Sequence, residues 1–424
     1  MNFVEPSRIA TSTGIGVRDQ LLILAYLVTA ITFARWPGLN DIPKIFALLV
    51  LLAFLFHVGV AKRRIHVQAT FIIFLLWFLV AVASLLLAEE VRLNKAVQVA
   101  QFAIVAFALT NMLIWNRSTG FYVVSLIVAI GVSALVYATD PAGPGLAGIL
   151  EGDVERSNSH AVALSFGLAL SLALFLGARS WLNRVLLVGL VGVLFFLVLS
   201  QGSRQALLGG AVVAGSVVMV VALYRAWLAK DASLAMSFVA IAATVPFAVI
   251  AAMSSRYWHR FERVPAALQD PGVDGSITGR LWMLERGFEL WATSPIIGIG
   301  PNNYRFSLEA DHFYALEIGT YSHNNYMEVL VGTGLLGFLL FFAMYALWVG
   351  RLYVLRASVN SRDLVVRYTM VLVVVALLIV NGVFNVHYDD RLFWILLPFI
   401  VAELQLLRVD RSLETSRGLA RAQT

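Results

Sequence analysis

The sequence predicts an all-α, polytopic membrane protein with about 12 transmembrane helices. Of its 424 residues, 60% are hydrophobic and 13% are charged, whereas about 25% of the residues of soluble domains are charged. The apolar residues are gathered into runs of about 20, which is the length that a helix needs to cross a bilayer. We therefore expect most of the chain to lie in the membrane and the connections between the runs to carry the function.

Twelve apolar runs are long enough to be spans. In chain order they are residues 20–36, 43–61, 67–88, 96–115, 119–138, 159–178, 184–201, 205–224, 233–253, 325–350, 366–385 and 391–407. We expect the first to be a retained helix, because no small-residue cleavage site accompanies it. The chain thus divides into nine spans in residues 1–253, one long loop in residues 254–324, and three spans with a short tail in residues 325–424.

The charges predict the orientation of these spans. With the N-terminus in the cytoplasm, 18 of the 31 Lys and Arg residues lie in the tails and in the cytoplasmic connections, while 18 of the 25 acidic residues lie on the outer side. We therefore expect both termini in the cytoplasm and the long loop outside. The basic residues then serve topology and contact with membrane lipids, and nucleic-acid binding is not expected.

The long loop contains a predicted amphipathic helix. Leu281, Leu284, Phe288 and Trp291 recur at helical spacing, so they share one face that could lie on the membrane surface. Thr278 is the predicted N-cap, and the Ser-Pro pair at 294–295 ends the helix.

Two arginines are predicted to bind an anion. Arg280 falls in the first turn of the amphipathic helix, where a positive charge opposes the helix dipole, and this suggests an anion held beside the N-terminus. Arg204 lies between two apolar runs, separated from the first only by a Gly-Ser turn, so it should face a cavity or a partner anion. The alternatives are an ordinary exposed arginine for Arg280 and snorkelling to lipid headgroups for Arg204.

His323 comes just before the tenth span. Its ordinary pKa, about 6.5, suits a general base that accepts a proton from an acceptor hydroxyl. The alternative is a capping or interface histidine. Nearby, the Gly-x-Gly at 298–300 predicts a structural elbow rather than a phosphate loop, because no Walker lysine follows it.

Metal binding is not expected, and neither is a cofactor. The chain has no cysteine, no Asp-x-Asp pair and no His-Glu-x-x-His motif. We expect His57, inside the second span, to be packed or hydrogen-bonded. Asp389 and Asp390 are expected to keep a helix end solvated or to pair with an outer arginine. The residues therefore favour an outer site of several arginines and one histidine, whose substrate is an anionic lipid phosphate or pyrophosphate.

The order of these motifs resembles the O-antigen ligase family, whose superfamily also contains O-antigen polymerases and O-oligosaccharyltransferases. The motifs are Ser-Arg at 203–204, Arg-Leu-Trp at 280–282, Pro-Ile-Ile-Gly-Ile-Gly at 295–300 and Ser-His-Asn-Asn-Tyr at 322–326, followed by a Gly-x-Gly helix. The resemblance covers roughly the sixth to the tenth span closely and the twelve-helix layout generally. As a set, the motifs are fairly specific to the superfamily.

The resemblance implies a GT-C-type glycosyltransferase of the bacterial inner membrane. Such ligases transfer a glycan from undecaprenyl pyrophosphate to a sugar hydroxyl of lipid A-core on the periplasmic side, in an inverting and metal-independent reaction. It also implies that the donor and the lipid A-core acceptor are the partners of this chain.

The resemblance assigns roles residue by residue. Arg204 and Arg280 would bind the pyrophosphate and stabilise the leaving group, and His323 would orient or deprotonate the acceptor hydroxyl. Arg156 would contribute to donor binding. Tyr321 and Asn324, on either side of His323, complete the predicted substrate-binding set. A departure from the pattern is the Ser-His pair at 159–160, where many relatives run from Pro-Asn into a small apolar residue, so no role is assigned to that histidine.

Alternatives to the ligase remain. An O-antigen polymerase would join lipid-linked repeat units to one another. An oligosaccharyltransferase is disfavoured, because only about 17 residues follow the last predicted span. A transporter of an anionic lipid is also disfavoured, because the spans show no paired, broken helices in two related halves.

Overall fold

The computed structural model describes residues 16–33, 39, 41–88, 93–139, 157–200, 275–308, 322–356 and 361–422. Within these ranges the chain forms twelve α-helices and one short 3-10 turn. The helices are α1 (Val17–Thr32), α2 (Ile42–Gly59), α3 (Ala69–Leu86), α4 (Leu93–Asn116), α5 (Thr119–Thr139), α6 (Ser157–Gly177), α7 (Trp181–Ser200), α8 (Gly275–Thr293), α9 (Tyr304–Ser307), α10 (Asn325–Leu355), α11 (Arg362–Asn381) and α12 (Arg391–Ala422), and the turn is His387–Asp389.

Eight helices of the described ranges are long and apolar enough to cross a membrane, namely α2, α3, α4, α5, α7, α10, α11 and α12. The helix α6 contains a shorter apolar stretch, Ala161–Gly177. Ten of the predicted spans coincide with helices, and the other two, 205–224 and 233–253, lie outside the described residues. The prediction of an all-helical integral membrane protein is confirmed for the ranges described above, and the total of twelve spans stays a prediction.

The centre of the bundle is α12. Its residues from Phe393 to Ala402 are all buried, and it packs against α1, α4, α5, α10 and α11. By contrast, α2 and α7 leave large apolar side chains exposed, among them Leu52 and Phe196. These peripheral faces are apolar because lipid, rather than protein, would cover them.

The short connections between the membrane helices collect at two ends of the bundle. We call the end that bears residues 275–308, 322–324 and 382–390 the loop end. The three residues that join α6 to α7 include Arg179, which pairs with Asp363 at the start of α11. Because α11 ends at the loop end, this connection lies at the opposite end, so α6 begins and α7 ends at the loop end.

Ion pairs connect the helices at the opposite end of the bundle. Arg367 of α11 pairs with Glu403 and, at 2.6 Å, with Asp410, both of α12. Asp410 also pairs with Arg117 from the connection between α4 and α5. Nearby, His57 Nε2 lies 2.8 Å from an Asp19 carboxylate oxygen and ties α2 to α1, which confirms the expectation of a hydrogen-bonded histidine.

Candidate active site

A break in α10 organises the loop end. Gly334, with φ 63° and ψ −172°, interrupts the helix. The amides of Leu335 and Leu336, which lose their helical partners at the break, donate to the carbonyls of Pro295 at 2.9 Å and Ile296 at 3.1 Å. The loop thus supplies the hydrogen bonds that the broken helix lacks, as buried backbone groups in a membrane require.

The same pairing continues on the other side of the break. The amides of Ile299 and Gly300 donate to the carbonyls of Val331 and Gly332, both at 3.0 Å. Ser84 of α3 joins this pairing: its hydroxyl donates to the Gly332 carbonyl at 2.8 Å and accepts from the Gly300 amide at 3.0 Å. The helices α3 and α10 and the loop are therefore bound together through backbone groups and the Ser84 hydroxyl.

Glycine is required where the loop meets the helix. Gly298 has φ 76°, and a Cβ there would lie 2.5 Å from backbone atoms of Gly332 and Gly334. Since a positive φ and such a close approach both favour glycine, the 298–300 stretch is an elbow seated in the break of α10. The prediction of a structural elbow is confirmed.

The helix α8 packs closely on α9 and α10 at Gly287. A Cβ on Gly287 would lie 2.6 Å from the Tyr304 hydroxyl and 2.7 Å from Met327 Cγ, so only glycine allows this approach. The Tyr304 hydroxyl donates to the Met283 carbonyl within a small buried cluster that also contains Leu308 and Val331. This contact fixes α8 on the loop end of the bundle.

The predicted start of α8 is wrong. The helix begins at Gly275, so Thr278 is its fourth residue rather than its N-cap. The Thr278 side chain is buried, with 6% of its surface exposed. Arg280 is therefore the sixth residue and lies in the second turn. The argument from a first-turn charge does not hold, so its role must rest on its neighbours. The predicted end, before the Ser-Pro pair, is confirmed by the last helical residue, Thr293.

Part of the apolar face of α8 packs against the rest of the protein, and part of it is exposed. Leu284 and Trp291 pack against the buried cluster, whereas Leu281 and Phe288 are 45% and 54% exposed. Ile296, just after the helix, is 67% exposed. These three side chains form an outward apolar strip beside the spans, as an interfacial helix would present.

Arg280 and His323 lie together at the loop end. The Arg280 guanidinium sits over the ring of Phe384, 5.8 Å from its centroid. Desolvation by the surrounding protein and, second, the positive charge of Arg280 lower the pKa of His323 below its ordinary value. The His323 side chain is exposed, so its ring is open to a substrate.

The backbone around His323 is held in a special conformation. His323 has φ 51°, in the left-handed region that non-glycine residues seldom adopt. The Ser322 hydroxyl accepts from the Asn324 amide at 3.3 Å and so closes a turn around it. The Asn324 side chain accepts from the Met327 amide at 2.9 Å, which makes Asn324 the N-cap of α10. The capping role considered for His323 therefore belongs to Asn324.

A buried polar layer lies beneath this turn. Glu328 is 0% exposed and accepts from the Ser322 hydroxyl at 2.8 Å and the Tyr388 hydroxyl at 3.3 Å. The Asn325 amide donates to the Gly382 carbonyl at 2.7 Å. The segment that carries His323 is thereby fastened to the connection between α11 and α12.

His387 belongs to the same layer. Its amide donates to the Asn325 side-chain oxygen at 2.8 Å, and its ring Nδ1 lies 2.5 Å from the Tyr345 hydroxyl. Burial lowers the pKa of His387 to about 3, so the ring is neutral throughout the physiological range. It serves the packing of the turn, in a stack with Phe393.

Sequence reasoning missed Glu328 as a participant. The available signal is an acid inside an apolar run, which membrane helices keep only for a partner or a function. Of the two roles expected for the paired acids, the pairing with an arginine is wrong for Asp389, whereas Asp390 lies at a helix end as expected. Asp389 pairs with Lys95 of α4 rather than with an arginine, and Asp390 accepts from the Leu392 amide at 3.0 Å to cap α12.

The structure thus brings together three of the predicted site residues: Arg280, His323 and Asn324. Arg156, Arg204 and Tyr321 lie outside the described residues. Within the part of the chain that is described, no group of three or more His, Cys, Asp or Glu side chains could hold a metal ion.

Comparison with known proteins points to one family. Residues 190–342 match the sequence model of the family described as O-antigen ligase. The chain is also 32% identical over 107 residues to the exopolysaccharide production protein ExoQ of Rhizobium meliloti (strain 1021), and this alignment covers 24% of each of the two proteins. The chain therefore matches about a quarter of the length of that relative. The resemblance to the O-antigen ligase family is thereby confirmed, and it is carried by residues 190–342, the segment that contains Arg204, Arg280 and His323.

Proposed function

We propose that the protein is a membrane glycosyltransferase of the GT-C type that acts as an O-antigen ligase. It transfers a glycan from undecaprenyl pyrophosphate to a sugar hydroxyl of lipid A-core. The observation that carries this proposal is the meeting of Arg280 and His323 at the loop end, within the segment that matches the family. Together they offer a fixed positive charge and a neutral base at one site.

Arg280 binds the pyrophosphate of the donor in this proposal. A guanidinium presents a planar fork of donors that matches phosphate oxygens and remains charged at any physiological pH. The contact with Phe384 and the packing of α8 on Tyr304 limit the positions that Arg280 can take. A charge held in place before the reaction can stabilise the leaving diphosphate without reorganisation.

His323 serves the acceptor. Because its pKa lies below the ordinary 6.5, the ring is mostly unprotonated at neutral pH and can accept a proton. The acceptor hydroxyl oxygen forms a bond to the anomeric carbon while the bond from that carbon to the diphosphate oxygen breaks. The hydroxyl proton passes to His323, and the configuration inverts because a single in-line displacement occurs.

Arg204, Arg156, Tyr321 and Asn324 are proposed as further substrate-binding residues. Short chain distances support the two arginines. Ser200, the last residue of α7, lies at the loop end four residues before Arg204, a separation of at most ~14 Å. Ser157, the first residue of α6, directly follows Arg156. Arg204 would share the pyrophosphate with Arg280, while Tyr321 and Asn324 flank His323 in the sequence.

The proposed location is the bacterial inner membrane, with the loop end facing the periplasm and both termini in the cytoplasm. Support comes from the charge distribution and from the exposed strip of Leu281, Phe288 and Ile296. If this strip enters the outer leaflet, α8 lies where a lipid-linked donor brings its pyrophosphate to the membrane surface.

A polymerase that joins lipid-linked repeat units is the alternative, because the relative named above is a protein of exopolysaccharide production. One assay separates the two: purified protein in detergent or nanodiscs receives the lipid-linked glycan with and without lipid A-core. Ligase activity yields glycan on the core and requires the core. Elongation of the lipid-linked glycan without core contradicts the ligase and favours the polymerase. No new glycosidic bond under either condition contradicts both.

A further inference from the structure

We propose that Glu328 is a positioning residue that holds His323 opposite Arg280 by fastening the turn 322–324 to the connection 382–390. This inference rests on the proposed function, since it assigns Glu328 to the same transfer site. Nothing in the predicted mechanism uses this acid, although it is fully buried beneath the turn.

The link from Glu328 to His323 has two steps. The Glu328 carboxylate accepts from the Ser322 hydroxyl at 2.8 Å. The oxygen of that hydroxyl accepts from the Asn324 amide at 3.3 Å, on the far side of His323. The carboxylate thus fixes a short turn whose central residue is His323. A non-glycine residue with φ 51° keeps this conformation only where its surroundings hold it.

The other half of the link reaches the connection between α11 and α12. The second carboxylate oxygen of Glu328 accepts from the Tyr388 hydroxyl at 3.3 Å. Asn325 makes two parallel ties, to the Gly382 carbonyl at 2.7 Å and to the His387 amide at 2.8 Å. Both sides of the His323 turn are therefore bound to one connection.

Arg280 contacts that same connection. Its guanidinium lies 5.8 Å from the centroid of the Phe384 ring, two residues beyond Gly382. The connection 382–390 is thus a common support for the base and for the cation. The charged groups that act on the Glu328 carboxylate are Arg305 of α9 and Asp389 of the support itself. Loss of the carboxylate would release the turn from the support and let His323 move relative to Arg280.

Kinetics of purified variants test this role. Glu328→Leu removes the acceptor of both hydroxyls, and we expect kcat to fall about 10- to 100-fold with little change in KM, because a misplaced base slows the chemical step more than substrate binding. Glu328→Gln keeps a side-chain acceptor of the same length and should retain most of the activity. The matched control is Glu285→Gln, an exposed acid of α8, which should behave as wild type. Equal rates for Glu328→Leu and wild type would overturn the inference.

A second measurement does not depend on transfer. The rate at which diethyl pyrocarbonate modifies His323, followed by peptide mass spectrometry across pH, reports the pKa of that ring. In wild type this pKa lies below 6.5 because of desolvation and Arg280. In Glu328→Leu we expect it to rise towards 6.5, as the turn moves away from both influences. An unchanged profile in a folded variant contradicts the role of Glu328.

Ser322→Ala keeps the test decisive if Glu328→Leu fails to fold, because it removes only the hydroxyl that links the turn to the carboxylate. It should cause the same upward shift of the His323 pKa and a fall in kcat. The two proposals also fail separately. Wild-type protein that transfers glycan to neither acceptor contradicts the proposed function, while the modification profile of His323 still decides the role of Glu328.

Discussion

Gly334 of α10 and Ile296 of the loop approach so closely that a Cβ on the glycine would lie under 3.0 Å from the isoleucine carbonyl. This contact holds the elbow in the break of α10 and thereby fixes the position of α8 relative to α10. The positions of Arg280 and His323 both depend on it, since one residue belongs to α8 and the other precedes α10.

We predict that Gly334→Ala strongly destabilises the protein. The added methyl group collides with the loop backbone, and φ 63° costs a residue with a Cβ roughly 1–3 kcal/mol before the collision is counted. Thermal unfolding of the purified protein in detergent should show a clear fall in Tm. Gly350→Ala is the matched control, because it lies in the same helix with nothing within 4 Å of the new Cβ. A Gly334→Ala protein as stable as this control would contradict the role of the break.

Arg280→Ala should reduce glycan transfer by at least about 100-fold, the usual effect of removing one stabiliser of a transition-state charge. Arg280→Lys should recover only part of the loss, since an ammonium cannot make the two-pronged contact. Initial rates with lipid-linked glycan and saturating acceptor measure both. Arg286→Ala removes another arginine of α8, one that pairs with Glu289 at 2.7 Å, and should leave the rate unchanged. An equal loss in both alanine variants would contradict the specific role of Arg280. It would show that transfer slows when any positive charge is removed from α8 or when the fold of α8 is disturbed.

The sequence allowed much of this arrangement to be anticipated, because long apolar runs and the Pro-Gly elbow are local signals. The termini of the spans agree with the helices to within five residues where both can be compared, except that α12 continues to Ala422, 15 residues beyond the predicted end at 407. The start of α8 was misjudged because the burial of Thr278 depends on tertiary packing. The partner of Asp389 was misjudged for the same reason, since Lys95 is almost 300 residues away in the chain.

The types of residue in the candidate site could be predicted from the sequence, but the contacts between them could not. His323 and Arg280 stood out because they are polar groups at a membrane edge. The sequence does not show that both residues are supported by the connection 382–390, because this support arises from side-chain contacts between three separate segments. Glu328 could have been recognised as an acid in an apolar run, but its two hydroxyl partners could not.

Asp410→Asn should lower the stability of the protein by about 1–3 kcal/mol, since it weakens contacts to two partly buried arginines, Arg117 and Arg367, at the end opposite the site. The expected readout is a lower Tm with an unchanged rate in the protein that remains folded. Asp363→Asn is the control, because its pair with Arg179 is exposed and 3.4 Å long and should contribute little. A changed KM or kcat in folded Asp410→Asn would show that the two ends are coupled.

His323→Ala should abolish transfer, and the wild-type rate should depend on pH through His323. A base works only when it is unprotonated, so activity should fall as pH decreases through the pKa of His323. Desolvation and the charge of Arg280 lower that pKa, so the midpoint should lie below about 6.5.

Arg280→Lys keeps a positive charge and should leave the midpoint near the wild-type value, whereas the residual activity of Arg280→Ala should show a midpoint moved upwards. His66→Ala is the histidine control, because His66 lies between α2 and α3 at the opposite end and should affect neither rate nor midpoint. A rate that does not fall at acid pH in a protein that remains folded, or an acid midpoint that is the same in wild type and in Arg280→Ala, would remove His323 from the role of base.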